Sequence, residues 1–300
     1  MTDQSILHNI RILDFTWVLA GPYATRLLAD FGAEVIKVQP LLPEAEDGFG
    51  RGYYNTWNRN KLGITLDLNK PEGVAVARRL AGISDAVVES FTPRVMANWG
   101  LDYESLRKVK PDIIMLSMST MGATGPWRDY AGFGPTVQAF SGMTYLTSFP
   151  GRPPLGPGFS YADHVAGLMA ALALLGALEY RRETGEGQYL DVSQVEAMVS
   201  LSGSAVPGCM VGGGGVEPVG NSSSEAAPHG VYRCKGDDRW CAIAVSNDSQ
   251  WQGFKRALGN PAWAGGERFA TLAGRLENAD ELDRLVEEWT REHTAGEVMA

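Results

Sequence analysis

The chain has 300 residues, 44% apolar and 20% charged, a balance that supplies a large core and excludes intrinsic disorder. Its formal charge of −9 excludes a general affinity for nucleic acid or an acidic membrane surface, so neither is expected as a partner. The 36 glycines, well above the usual share of about 7%, call for tight turns and close backbone approaches rather than a plain helical bundle.

The first half alternates strand and helix signals. Arg11–Thr16 reads as a short apolar strand. Gly21-Pro22 breaks it, and YATRLLADFG reads as a helix with Pro22 in its first turn and Gly32 just past its end. AEVIKVQ follows as a second strand, completing a β-α-β unit with a parallel pair. Ile64–Leu68 reads as a strand, and Asn69 with Pro71 opens a helix through Arg79. Asp85–Ser90 is a strand, YESLRKV a helix capped by Asp102, and Asp112–Met118 a strongly apolar strand. An α/β fold follows: a Rossmann-like open, largely parallel sheet with helices on both faces.

One long apolar helix runs from Asp163 to Arg182. Its most apolar stretch, Val165–Leu178, is shorter than the roughly 20 residues a bilayer span needs and suits a core helix. The turn Thr184–Gly187, the strand QYLDVS and the helix VEAMVSLSG come next. Pro207–Pro228 is rich in Gly, Ser and Pro and reads as a linker or functional loop. The expected division is therefore a large domain at 1–206, a linker at 207–228 and a smaller α+β domain at 229–300. In the latter, GVYRC and RWCAIAV suit a hairpin around Gly236–Asp238, followed by helices at SQWQGFKRAL and DELDRLVEEWTREH.

Several chemistries leave no mark. No G-x-G-x-x-G follows the first strand, and there is no Walker A motif, H-E-x-x-H or G-x-S-x-G. Four histidines lie far apart, so no metal is expected. Three cysteines without a C-x-x-C, and an N-terminus without a signal-peptide pattern, suit a reducing, cytoplasmic setting.

The segment LDFTWVLAGPYATRLLADFGAEVIKVQ resembles the opening of the family III CoA-transferases. This group, which includes the CaiB/BaiF proteins, covers formyl-CoA:oxalate, carnitine and bile-acid CoA-transferases and shares its fold with the 2-methylacyl-CoA racemases. NRNKLGITLDLNKPEG, DAVVESFTPRVMANWGLD, the Gly122–Gly142 stretch, Phe159–Ser193 and PHGVYRCKGDDRWCAIAVSNDSQW agree in the same order. The resemblance implies a two-domain fold, an interlocked homodimer, acyl-CoA and free carboxylic acids as substrates, and no cofactor beyond coenzyme A as a substrate. Family III chains usually run longer, with a C-terminal segment that returns to the large domain, so the resemblance implies a chain truncated in its small domain.

In the transferases an aspartate at the start of the long central helix is the nucleophile, and the motif places it on Asp163. A helix N-terminus favours an ionised carboxylate. On spacing alone Asp163 also suits a simple N-cap. The resemblance implies CoA contacts from Val18, Leu19, Ala20, Leu66, Ser90, Phe91, Arg94, Asn98 and Phe133, with Arg59 and Lys61 as further candidates for a CoA phosphate. Leu19, Pro40 and Asn98 depart from the glutamine and arginines of formyl-CoA transferase. Either Gly212–Gly215 or Gly220–Pro228 would cover the aspartate. A racemase would need a histidine where Phe133 stands. Two further readings are a catalytically incomplete chain that only binds CoA, and a hydrolase using Ser160 with His164.

Overall fold

The computed structural model describes residues 5–40, 48–212 and 215–300. The chain divides into two units. The first comprises Met1–Tyr145 and Leu155–Val216, and the second Leu146–Pro154 and Glu217–Ala300.

The first unit is built on strands β1 (Arg11–Asp14), β2 (Glu34–Gln39), β3 (Lys61–Thr65), β4 (Ala86–Glu89), β5 (Ile114–Ser117) and β6 (Tyr189–Asp191). Their order is β3-β2-β1-β4-β5-β6, and every pair is parallel. This is the doubly wound order, with its reversal between β1 and β4. Helices of this unit include α1 (Ala20–Asp30), α2 (Gly48–Asn58), α3 (Pro71–Gly82), α4 (Arg94–Asn98), α5 (Tyr103–Leu106), α6 (Gly134–Phe140), α7 (Met143–Leu146), α8 (Tyr161–Thr184), α9 (Gln194–Val199) and α10 (Ala205–Gly212), α7 ending one residue into the second unit.

Residue alternation along the strands divides the core into two layers. Ile12, Val88, Ile114 and Leu116 join Ala24 and Leu28 of α1 and Ala166, Ala170 and Leu174 of α8 on one face. Leu13, Val87 and Met115 join Ala77 and Ala81 of α3 and Leu106 of α5 on the other. Helix α8, 24 residues, is long and apolar enough to cross a membrane by length and composition alone. Half of its most apolar window is buried within the protein. Gly167 makes that packing close: a Cβ there would stand 2.8 Å from the Ala20 carbonyl oxygen and from the Tyr23 ring. Ordinary side chains would hold α1 and α8 apart.

The second unit pairs β7 (His229–Arg233) with β8 (Trp240–Ala244) as an antiparallel hairpin. Its core gathers Trp251, Phe269, Leu282 and Val286. Arg275 is fully buried there, donating to the Ala227 carbonyl at 2.8 Å and to Asp248 at 3.1 Å. Helices α11 (Asp248–Ala257), α12 (Leu272–Glu277), α13 (Ala279–Thr290) and α14 (Ala295–Met299) complete it.

Some expected boundaries move. The third strand is Lys61–Thr65, not Ile64–Leu68, because pairing with β2 starts at Val35↔Lys61 and the Asp67 carboxylate turns the chain by accepting from the Asn69 N–H. The first part of the expected linker is helical as α10. Of the glycine run, Gly213 and Gly214 lie outside the described residues.

Candidate active site

In doubly wound sheets ligands sit beyond the carboxyl ends of the strands, at the point where strand order reverses. Here the β1 and β4 loops meet at that point. The Trp17 N–H donates to Ser90 Oγ at 3.1 Å, and the Trp17 and Phe91 rings meet edge to face at 5.7 Å. Beside them opens a cavity of about 520 Å³, lined among others by Phe15, Trp17, Val38, Leu66 and Phe91. A neighbouring cavity of about 600 Å³ shares Leu68, Asn69 and Trp99 with it and adds Lys70, Arg78 and Asn98. Apolar walls with cations at one end suit an extended ligand that carries phosphate.

Asp163 is the third residue of α8 and is 7% exposed. It is not the N-cap. Ser160 holds that position, in a left-handed conformation (φ 47°) and without a side-chain cap bond. The N–H groups of Asp163 itself and of Ala20, the first residue of α1, lie near the carboxylate and favour its charged form. Burial raises its pKa above the ordinary carboxylate value, opposed by His164 and by those two N–H groups. Gly134, the first residue of α6, approaches so closely that a Cβ there would stand 2.1 Å from Asp163 Oδ2. The carboxylate therefore faces bare backbone on two sides. That environment leaves it poorly solvated and in reach of N–H donors, which suits a nucleophile whose charge moves during reaction.

His164 is committed elsewhere. Its Nδ1 lies 2.9 Å from the Ser160 carbonyl oxygen, and its ring packs edge to face on Tyr23 and Trp57 at 5.0 and 5.3 Å. A Ser160–His164 hydrolytic pair is not formed, because the contact runs to the carbonyl and not to the hydroxyl. Phe133, at the position where a racemase would carry histidine, is 66% exposed and has no group that exchanges protons.

A second buried aspartate lies under the loop that carries Ala20. Asp14, at the end of β1, is fully buried and ion-paired to Lys37 of β2 at 3.2 Å and to Lys61 of β3 at 3.0 Å. It also accepts from the Thr16 N–H, Thr16 Oγ and Thr25 Oγ at 2.8, 2.6 and 2.7 Å. Burial works against its charge, but the two lysines and two hydroxyls hold it well below the ordinary carboxylate range. Burial pushes Lys61 down to about 8.

The sequence-predicted residues fall into groups. Val18, Leu19 and Ala20 form the loop and helix start beside Asp163; Val18 is half exposed, Leu19 and Ala20 are buried. Leu66 and Phe91 line the first, more apolar cavity, Ser90 braces its edge, and Asn98 lines the neighbouring one. Arg94 is exposed, with Asp129 at 3.5 Å. Phe133 precedes Gly134 and stands apart from those cavities' linings. One phosphate candidate is corrected: Lys61 points inward to Asp14. Arg59 stays half exposed, with Asp30 at 2.8 Å. Lys70 and Arg78, which sequence reasoning passed over, line the cavity instead. Their positions in and just before α3 mark no spacing motif; only folding brings them to Asn98. Gly134 was likewise unmarked within FGPTVQAFSG, since nothing local links it to Asp163.

Comparison with known proteins shows what the chain is similar to. A family profile described as CoA-transferase family III matches residues 7–300. The succinyl-CoA–D-citramalate CoA-transferase of Chloroflexus aurantiacus is 39% identical over 302 residues, covering 97% of this chain and 74% of that protein. The succinate–glutarate CoA-transferase of Agrobacterium fabrum is 34% identical over 294 residues, covering 93% and 73%. A crystal structure of a CaiB/BaiF family protein from Brucella suis superposes with a TM-score of 0.88 at 31% identity, covering 98% of this chain and 80% of that one.

Proposed function

This chain belongs to CoA-transferase family III, and from that premise we propose that it moves coenzyme A through covalent intermediates on Asp163. The observation that carries the reading is a buried carboxylate at the start of α8, closely approached by Gly134 and with the backbone N–H groups of Asp163 and Ala20 near it. The ionised Asp163 oxygen attacks the thioester carbonyl of an acyl-CoA. The C–S bond breaks, leaving a mixed anhydride and CoA thiolate. The thiolate then attacks the aspartyl carbonyl, which releases the donor acid and leaves an aspartyl-CoA thioester. An acceptor carboxylate attacks that carbonyl and expels the thiolate, and the thiolate attacks the new acyl carbonyl to free Asp163. No proton changes hands at any step, which fits a site without a free imidazole beside the carboxylate.

Ala20 N–H and Asp163 N–H are the donors to the aspartyl oxygen as charge moves onto it. Leu66, Phe91 and Trp17 would flank the pantetheine or adenosine portion, and Lys70 and Arg78 would meet its phosphates. Succinyl-CoA is the donor to test first, with short dicarboxylic acids as acceptors, since the Chloroflexus and Agrobacterium relatives carry succinyl-CoA or succinate in their names.

A homodimer is part of the proposal. Leu168, Leu172 and Leu175 stand on one face of α8 and are 52%, 66% and 40% exposed. A stripe of leucines at helical spacing on a half-buried helix suits cover by a second copy. Light scattering is expected to give twice the monomer mass, and a monomer would remove this part.

The function is tested by mixing protein, succinyl-CoA and a free dicarboxylic acid, with mass spectrometry of the CoA esters. Exchange is expected, hydroxylamine should convert Asp163 to a hydroxamate, and Asp163→Ala should lose activity by about 10³-fold or more. Wild-type exchange by Asp163→Ala would overturn the mechanism. Deuterium entry at the substrate α-carbon without CoA exchange would favour racemase chemistry.

A further inference from the structure

The Asp14 cluster holds more charge than its own stability requires. One lysine neutralises one buried aspartate, yet two are present, with side chains 4% and 1% exposed. Burying the second ammonium has a desolvation cost that a neutral side chain would avoid. The remaining bonds show where both lysines are directed. Lys37 Nζ also donates to the Thr16 carbonyl, and Lys61 Nζ to the Pro22 carbonyl at 2.9 Å. Asp14 takes the N–H and hydroxyl of Thr16. The cluster therefore clamps both ends of the Thr16–Pro22 segment.

Between those ends the backbone is strained. Val18 has φ 65°, a left-handed conformation that is costly for a β-branched residue. Such a conformation persists only where the surroundings over-determine it. Leu19 follows as N-cap of α1 without any side-chain cap bond. The next N–H, that of Ala20, is the one that lies near the Asp163 carboxylate and favours its charge. A short path thus joins the ion cluster to the carboxylate.

We infer that Asp14, Lys37 and Lys61 form a positioning cluster that holds the Val18–Ala20 backbone so that the Ala20 N–H meets the Asp163 carboxylate. The inference rests on the reading of Asp163 as nucleophile. Lys61 is the informative member. Asp14 and Lys37 remain paired without it, so the cluster stays neutral while the Pro22 end of the clamp is released. Lys61 is faced by Asp14 of β1, Lys37 of β2, Arg26 of α1 and Asn58 of α2, and Tyr54 of α2 feels Asp14. With Lys61 pushed down to about 8, the clamp loosens as the pH rises past that value.

The test compares wild type, Lys61→Met and Lys61→Arg for thermal melting, for kcat and KM of CoA exchange against pH, and for the rate of hydroxamate formation at Asp163. Lys61→Met is expected to fold, to lose about 10–100-fold in kcat with KM for acyl-CoA within threefold, and to lack the alkaline fall in kcat expected of wild type. Lys61→Arg keeps its charge, so its alkaline fall should move above about pH 10. A folded Lys61→Met with wild-type kcat and hydroxamate rate overturns the inference. If Lys61→Met does not fold, an unshifted alkaline limb in Lys61→Arg overturns it. Absence of hydroxamate in wild type would instead overturn the reading of Asp163.

Discussion

Asp14 and Asp163 are both buried, at 0% and 7% exposed, and burial pushes both carboxyls upward. They end on opposite sides of the ordinary value. Asp14 has two ammonium groups and two hydroxyls, which overcome burial. Asp163 has the neighbouring His164, two backbone N–H groups nearby and no ion pair among the described residues, and burial prevails. The difference separates a carboxylate fixed in charge from one free to lose it. An aspartate locked to two lysines is a poor nucleophile, because attack would leave two buried cations without their counter-charge. An aspartate that no lysine or arginine pairs among the described residues can become an ester or thioester at less electrostatic cost.

This contrast can be broken experimentally. The largest effect is expected at Asp163. Asp163→Asn should abolish exchange, by about 10³-fold or more, yet raise stability near neutral pH by about 1 kcal/mol, since it removes a poorly solvated charge. Exchange assays and urea melts check both arms; a destabilised Asp163→Asn would place it with Asp14.

Asp14→Asn should do the reverse in stability, costing about 3–5 kcal/mol in urea melts because two buried ammonium groups lose their counter-charge. A melt within about 1 kcal/mol of wild type would show that water reaches the lysines.

Gly134→Ala is expected to fold but to lose about 10²-fold in kcat, because the new methyl claims the space of Asp163 Oδ2. Unchanged kcat would mean that the carboxylate works from another rotamer.

The smallest effect concerns a third buried carboxylate, Glu89, at the end of β4. Burial pushes it up to about 7, opposed by Ser117 and the Phe91 N–H and reinforced by Asp191. A folded pKa above the unfolded one gives stability that is complete below the unfolded value and lost as pH rises through about 7. Wild type should therefore lose stability between about pH 5 and 7, by about 1 kcal/mol or more, and Glu89→Gln should flatten that slope. Melting curves across this range decide it; parallel slopes would refute the assignment.

Much of the scaffold was legible because its signals are local. Apolar strand runs, Pro22, the Asp102 cap and the uninterrupted apolar helix after Asp163 each act within a few residues. Asp102 does cap α5, accepting from the Ser105 N–H at 3.0 Å. Helix α2 was not legible, since GFGRGYYNTWN carries glycine and asparagine in place of helix formers. Its partners are remote: Trp57 packs on Tyr23 and His164 at 5.8 and 5.3 Å. Helix α6 was missed for the same reason, and with it Gly134.

The sequence by itself determined the α/β class, the parallel order implied by its β-α-β units, the family resemblance and the choice of Asp163. These depend on period, on turn residues and on motifs read within one segment. Tertiary structure decided that Asp163 lies in the first turn of α8 and not at its cap, that the Ala20 N–H lies near it, and that Gly134 crowds it. It also turned Lys61 from a candidate phosphate ligand into a buried partner of Asp14. The physical reason is common to all of these. A carboxylate's charge state depends on what desolvates it and what faces it, and those groups come from strands and helices far apart in the chain.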